Sequence, residues 1–233
     1  MKNLIQKLTA LLIATLFTIT LFAQDKENRT VNNFSSINVS SGIDLYITQG
    51  DAIDLKVICD KSELHRLITE VEGNTLKIYM KGNNNWSWSN NNAPKVYVTF
   101  KQISEINANG GSDVYGQNTI SAESLLIKSS GGADIYADIK TDELKINSSG
   151  GSDIKIKGTT NTLTASASGG SDINARELKA QKVKVNSSGG ADAVVWAEKE
   201  IIANASGGSD IDYYGNPEIK QLSESGAGDI NAR

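Results

Sequence analysis

A four-residue pattern, Gly-Gly-Ser/Ala-Asp, recurs at 110–113, 131–134, 150–153, 169–172, 189–192 and 207–210. A degenerate copy, Gly226-Ala227-Gly228-Asp229, follows. The seven aspartates Asp113, Asp134, Asp153, Asp172, Asp192, Asp210 and Asp229 are spaced by 21, 19, 19, 20, 18 and 19 residues. A fixed period near 20 residues means stacked supersecondary units, each too small to bury its own apolar face. Alternation inside the unit says what the unit is. Leu144, Ile146, Ser148, Gly150, Ser152, Ile154 and Ile156 share one parity, and so do Leu163, Ala165, Ala167, Gly169, Ser171, Ile173 and Ala175. A period of two marks strands with one buried face. Each unit is therefore predicted as a strand, a tight Gly-Gly bend lined by small inward residues (Gly150 and Gly169 among them), a second strand and a short polar turn. Lys157-Gly158-Thr159-Thr160 is one such turn.

One short strand pair cannot stand alone. Stacked at the ~4.8 Å spacing of a sheet, such units form a parallel β-helix. A helical repeat is excluded by the missing 3.6 period and by Gly-Gly in mid-unit. A propeller blade needs about twice this period, ~40–50 residues. The expected fold is all-β: a single-stranded parallel β-helix with ~19-residue coils over residues 101–233 and an irregular N-terminal β cap.

Residues 24–100 read as that cap and the first coils of the same body. Ser41-Gly42-Ile43-Asp44-Leu45-Tyr46-Ile47 is an early echo of the repeat with one glycine. Residues 61–67 are expected to form a short helical turn or two, with Asp60 or Ser62 as N-cap. Ahead of this, Lys2 and Lys7 precede an uncharged apolar stretch from Leu8 to Ala23, and the chain turns polar at Gln24. That layout is a secretory signal peptide, residues 1–23, shorter than a spanning helix requires. An uncleaved anchor is the alternative. No cysteine lies near the cleavage point, so a lipoprotein is not expected, and no transmembrane segment is expected after cleavage.

The whole chain carries a net charge of −4, and loss of Lys2 and Lys7 leaves 21 basic against 27 acidic residues. An acidic exported protein lacks the basic footprint that nucleic acid requires. One Cys and one His exclude a disulfide framework and zinc sites built from several such ligands. Cys59 lies in an apolar run and reads as buried and inert. His65 reads as an ordinary surface residue.

Three features carry possible chemistry. The seven aspartates stack in one outward column if the register holds, and neighbouring carboxylates ~4.8 Å apart repel by about 1 kcal/mol in water. Amide groups of the bend, or the serines four residues earlier, are expected to offset this. The column is read as structural. A cation column is the rival, although the Ca²⁺ β-roll repeat has a nine-residue period. A polysaccharide-active enzyme is the other rival, since paired carboxylates serve glycoside hydrolysis. Identical groups on every coil suit a scaffold better than a unique catalytic centre, so no enzyme and no cofactor are expected. The third feature is the Asn-rich segment from Gly82 to Pro94, with Trp86 and Trp88 one residue apart. On an extended strand both rings share a side and would stack on a sugar face while the asparagines bond its hydroxyls. A loop between strands is the alternative.

The repeated bend, the early Ser-Gly-Ile-Asp-Leu-Tyr-Ile segment and the signal peptide together resemble the GIN-domain family of bacterial exported proteins, labelled autotransporter adhesin heads. The resemblance covers most of residues 31–233. It implies a right-handed β-helix at the cell envelope: an adhesin-like binding or structural protein, in the periplasm, at the surface or outside, meeting a glycan or another cell-surface component.

Overall fold

The structure, a computed structural model, describes residues 24–82 and 93–233. The expected signal peptide and the Trp86/Trp88 segment lie outside the described residues. The N-terminal strands are β1 (Gln24–Asn28), β2 (Ser36–Val39), β3 (Asp44–Gln49), β4 (Asp54–Asp60), β5 (Leu67–Glu72), β6 (Thr75–Met80) and β7 (Lys95–Phe100). They are followed by β8 (Glu105–Asn109), β9 (Val114–Gly116), β10 (Ile120–Ser130), β11 (Ile135–Gly150), β12 (Asp153–Gly169) and β13 (Asp172–Gly189). The chain continues through β14 (Asp192–Gly207), β15 (Asp210–Tyr214), β16 (Ile219–Gly226) and β17 (Asp229–Ala232). No helix occurs among the described residues.

The repeat stacks residue on residue. Leu125 pairs with Leu144, Leu144 with Leu163 and Leu163 with Val183, all in parallel. Gly150, Gly169, Gly189, Gly207 and Gly226 pair in one line. The result is the expected parallel β-solenoid with coils of about 19 residues. Each inward apolar residue is covered above and below by its counterparts. Ile146, Ile154, Leu163, Ile173, Val185 and Ile211 are all buried.

Two details differ from the expected unit. The polar turn at 157–160 does not interrupt β12. The chain rounds a corner inside a continuous ladder, with Gly158 at φ 118. A Cβ there would stand 2.0 Å from the Ile139 carbonyl oxygen, so only glycine lets the corner nest against the coil before it. Gly150 and Gly169 are also exposed at the tip of the bend, not inward. Inward positions are held by Ser148 and Ser152, and by Ala167 and Ser171. Positive φ at the first glycine lifts the tip outward between them. Buried hydroxyls then close the bend: Ser148 Oγ donates to the Ser152 carbonyl at 3.0 Å, and Ser152 Oγ donates to the Ser149 carbonyl at 3.0 Å.

At the N-terminal end the stack departs from chain order. The β2–β3 coil lies between β6–β7 on one side and β8–β9 on the other. The chain therefore enters at the second layer, lays the end coil next, and returns to build the repeat. Antiparallel strands finish that end: β5 pairs with β6, β4 with β7 and β1 with β4. Large buried residues, Phe34, Leu55, Val57, Leu67, Met80 and Phe100, belong to this end. Residues 61–66 form hydrogen-bonded turns in place of the expected helix. Only the Leu64 and Leu67 amides reach back four residues, to Asp60 and Glu63, so no helical ladder propagates.

Candidate functional site

The second strand of every coil begins just after the bend and turns alternate residues outward. The first of these is the repeated aspartate. Asp153, Asp172 and Asp192 pair in line, and Asp210 pairs with Asp229. Asp44 joins the same column ahead of Asp113, and Lys95 pairs with Asp44 at its head. The column thus holds eight carboxylates and begins with a cation. Asp113 Oδ1 accepts the Asp134 N–H at 3.3 Å, and Asp134 Oδ1 accepts the Asp153 N–H at 3.0 Å. Asp172 does the same for Asp192 at 3.3 Å, and Asp192 for Asp210 at 3.0 Å. The amide that answers each of these carboxylates belongs to the next coil, so the aspartates tie coil to coil.

Repulsion along the column is only partly answered. Asp153 is pushed above its ordinary value by partial burial and by the charges of Asp134 and Asp172. Asp113 is raised by burial, against the opposing pull of the Asp134 amide and the Tyr115 hydroxyl. Asp44 is raised by burial and by Asp113, while Lys95 pulls it down. Among the described residues no group of three or more His, Cys, Asp or Glu side chains is placed to hold a metal ion.

Two residues beyond the aspartates runs a ladder of tyrosines. Tyr97 stacks on Tyr46 at 4.8 Å, Tyr46 on Tyr115 at 5.2 Å, and Tyr115 on Tyr136 at 5.5 Å, with interplanar angles of 12°, 21° and 5°. Inner rings of such a ladder bury their faces on each other. The end rings, Tyr97 and Tyr136, are the exposed ones, each 37% accessible. Tyr115 and Tyr136 also donate from their hydroxyls to Asp113 and Asp134, at 3.2 and 3.3 Å. These charges, with burial as the larger cause, push both phenols upward. The aromatic and acidic columns are therefore one hydrogen-bonded face. Lower on it, Trp196 stacks on Tyr214, with Lys179 over the indole and Arg176 over the phenol ring.

The structure places the seven predicted aspartates on this face and leaves Trp86 and Trp88 outside the described residues. Their segment joins β6 to β7, so the chain emerges from it at Pro94, directly before Lys95 and Tyr97 at the head of both columns. The tyrosine ladder was not anticipated, although its signal is plain. Asp44-Leu45-Tyr46, Asp113-Val114-Tyr115 and Asp134-Ile135-Tyr136 repeat an Asp-apolar-Tyr triplet. Cys59 is buried, and burial with the Asp60 charge pushes its thiol up to about 11, as an inert core cysteine requires. His65 is exposed.

Fold and face together define a parallel β-solenoid repeat protein with a built-up acidic and aromatic side. Residues 33–217 match the family described as "Putative auto-transporter adhesin, head GIN domain", and the chain belongs to that family. Solved structures agree. A "putative adhesin" from Bacteroides fragilis superposes with a TM-score of 0.84 at 26% identity, over 91% of this chain and 97% of that one. A "putative lipid binding protein" from Parabacteroides distasonis gives 0.68 at 25% identity, over 90% and 96%. A "putative adhesin" from the same organism gives 0.72 at 21% identity, over 91% and 97%. No curated protein sequence matches the chain.

Proposed function

We propose that this is an exported, adhesin-like binding protein of the cell envelope or surface, which recognises a glycan or another cell-surface component and catalyses nothing. Export rests on the charged head and apolar stretch of residues 1–23. The adhesin-like class rests on the family and on the Bacteroides fragilis neighbour. The observation that carries the reading is the face itself: eight aspartates and four stacked tyrosines projected outward from a rigid stack. A reaction centre needs two groups with different environments and different jobs. Here the same carboxylate recurs on eight successive rungs, which suits repeated recognition of an extended partner. Excess acid on the face disfavours nucleic acid.

Trp86 and Trp88, which lie outside the described residues, are assigned to ligand binding in this reading. The test is attachment of the purified protein to intact bacterial and host cells and to immobilised glycans. The double variant Trp86→Ala, Trp88→Ala is expected to lose most attachment while its melting temperature stays within a degree or two. Lost stability with attachment intact would make the two rings buried packing. Glycan turnover abolished by a single Asp→Asn change would make the protein an enzyme.

A further inference from the structure

The coils are not all the same length, and the long ones are informative. From Asp113 to Asp134 the spacing is 21, and from Asp172 to Asp192 it is 20, against 19 for the two coils between them. The register locates the extra residues. Tyr115 pairs with Tyr136 and Ile120 with Ile139, so five steps lie opposite three, and the two added residues fall in the turn at 116–119. Lys155 pairs with Asn174 but Lys157 with Glu177, so β13 carries one added residue as a bulge at 175–176. Insertions in a solenoid project on one face, and a bulge re-aims the side chain that follows it.

Between the turn and the bulge lies a hollow of about 660 Å³. Its upper lip is the 116–119 turn, where Gly116 lets the backbone lie against Ala137; a Cβ there would stand 3.3 Å from the Ala137 Cα. Its floor is the outward side of β11 and β12. The tyrosine ladder stops here. Tyr136 has Tyr115 on one side, and on the other the rung offers Lys155 instead of a ring. Asp138, Lys155, Lys157, Asn174 and Glu177 line the rest. Among the described residues, Lys155 and Glu177 make no ion pair, and Lys157 meets Asp138 only at 3.8 Å.

We infer that this hollow is a subsite for one neutral pyranose ring of a glycan, stacked on Tyr136. An aromatic end ring supplies an apolar platform for the C–H face of a sugar. Around it, ammonium groups only donate and carboxylates only accept, while each sugar hydroxyl does both. Alternating donors and acceptors therefore suit neighbouring hydroxyls. A sugar carboxylate would meet five carboxylates, Asp138, Glu177 and the nearby Asp134, Asp153 and Asp172, against two lysines, Lys155 and Lys157. The inference rests on the binding function proposed above, and adds where the ligand sits and of what charge.

Calorimetric titration of the full protein with cellopentaose, xylopentaose and mannopentaose, against trigalacturonate, tests it. At least one neutral pentasaccharide should bind, with Tyr136→Ala and Glu177→Gln each weakening it tenfold or more and Lys145→Ala, an exposed residue of β11 outside the hollow, leaving it within twofold. Thermal melting of each variant separates lost binding from lost folding, and Glu177→Gln, at an exposed position just after the bulge, keeps the test valid should Tyr136→Ala unfold. Binding of trigalacturonate alone, binding indifferent to both substitutions, or no binding at millimolar sugar would overturn the subsite. Attachment to cells by the same preparation, persisting in that case, would show that the broader reading stands without it.

Discussion

The coils from β10 to β14 and the coils of β2–β3 and β6–β7 enclose the same kind of interior by different means. In the first group most inward positions stack on apolar or small neighbours, as in Leu125-Leu144-Leu163-Val183 and Ile154-Ile173-Ala193-Ile211, and Ala and Ser fill the narrow end near the bend. In the second, β4 and β5 run antiparallel to their neighbours, and Phe34, Phe100 and Met80 fill space that another coil would otherwise occupy. A coil inside the stack needs only to match its neighbours, so one sequence serves many times. The β6–β7 coil, with no further coil beyond it, is closed by special residues and a change of strand direction, whereas the last coil at the opposite end, β16–β17, keeps the parallel pairing and a degenerate copy of the bend. Antiparallel closure also shields the edges of the end coil. Repetition therefore marks coils that continue the parallel ladder. The interruptions at 116–119 and 175–176 mark places where the outside differs.

The largest expected effect comes from the corners of the repeated coils. Gly158 and Gly215 each have positive φ, and a Cβ at either would lie 2.0 Å from a carbonyl oxygen of the previous coil. Gly158→Val should cost about 3–5 kcal/mol, from overpacking and backbone strain together. Gly73, in the β5–β6 connection at the irregular end, also has positive φ but meets nothing within 4 Å. Gly73→Ala should cost only about 1 kcal/mol, from backbone strain alone. Denaturant unfolding of both variants measures the contrast. Equal losses would mean that the contact between coils contributes nothing and that φ alone sets the cost.

The bends should show the next effect. Gly150→Ala places a Cβ 3.1 Å from the Gly131 amide nitrogen at φ 81, and is expected to lose about 1–3 kcal/mol. Ser152→Ala leaves the Ser149 carbonyl without its donor in a buried bend and should lose about 1 kcal/mol. A larger loss for Ser152→Ala than for Gly150→Ala would reverse the relative weights of tip geometry and bend closure.

Much of this fold is readable from the chain, because a period and a parity are properties of sequence. The Asp column followed from the spacing alone. Gly150 was misread because parity was carried unbroken through a bend. A positive φ turns the tip outward, and Ser148 and Ser152 both remain inward without the residue between them. The order of stacking was not readable. Gly42 stands alone where later bends have two glycines, and nothing local says that β2–β3 lies between β6–β7 and β8–β9. The tyrosine ladder falls between these cases. Its triplets are visible, but Tyr97 stands in Lys95-Val96-Tyr97, with a lysine in place of the aspartate, and only the pairing of Lys95 with Asp44 brings it into line. The hollow depends on register, since a 21-residue spacing does not say where the two added residues sit.

The smallest expected effect separates the head of the acidic column from its middle. A carboxyl whose folded value is raised holds its proton to higher pH in the fold than in the unfolded chain. Its contribution favours the fold fully below the ordinary value of 3.8 and is lost as pH rises through the raised one. Asp153 is raised by burial and by two neighbouring aspartates, with no cation among the causes. Asp153→Asn removes the charge and keeps an oxygen that accepts a hydrogen bond. It should therefore raise the melting temperature by a degree or two at pH 7–8, and the gain should vanish near pH 4. Asp44→Asn also loses the attraction of Lys95, so its gain at neutral pH should be smaller or absent. Melting curves from pH 4 to 8, in low and high salt, measure both. A larger gain for Asp44→Asn would show that Lys95 does not relieve the column. A gain for Asp153→Asn that persists unchanged at pH 4 would show that its origin is not the charge.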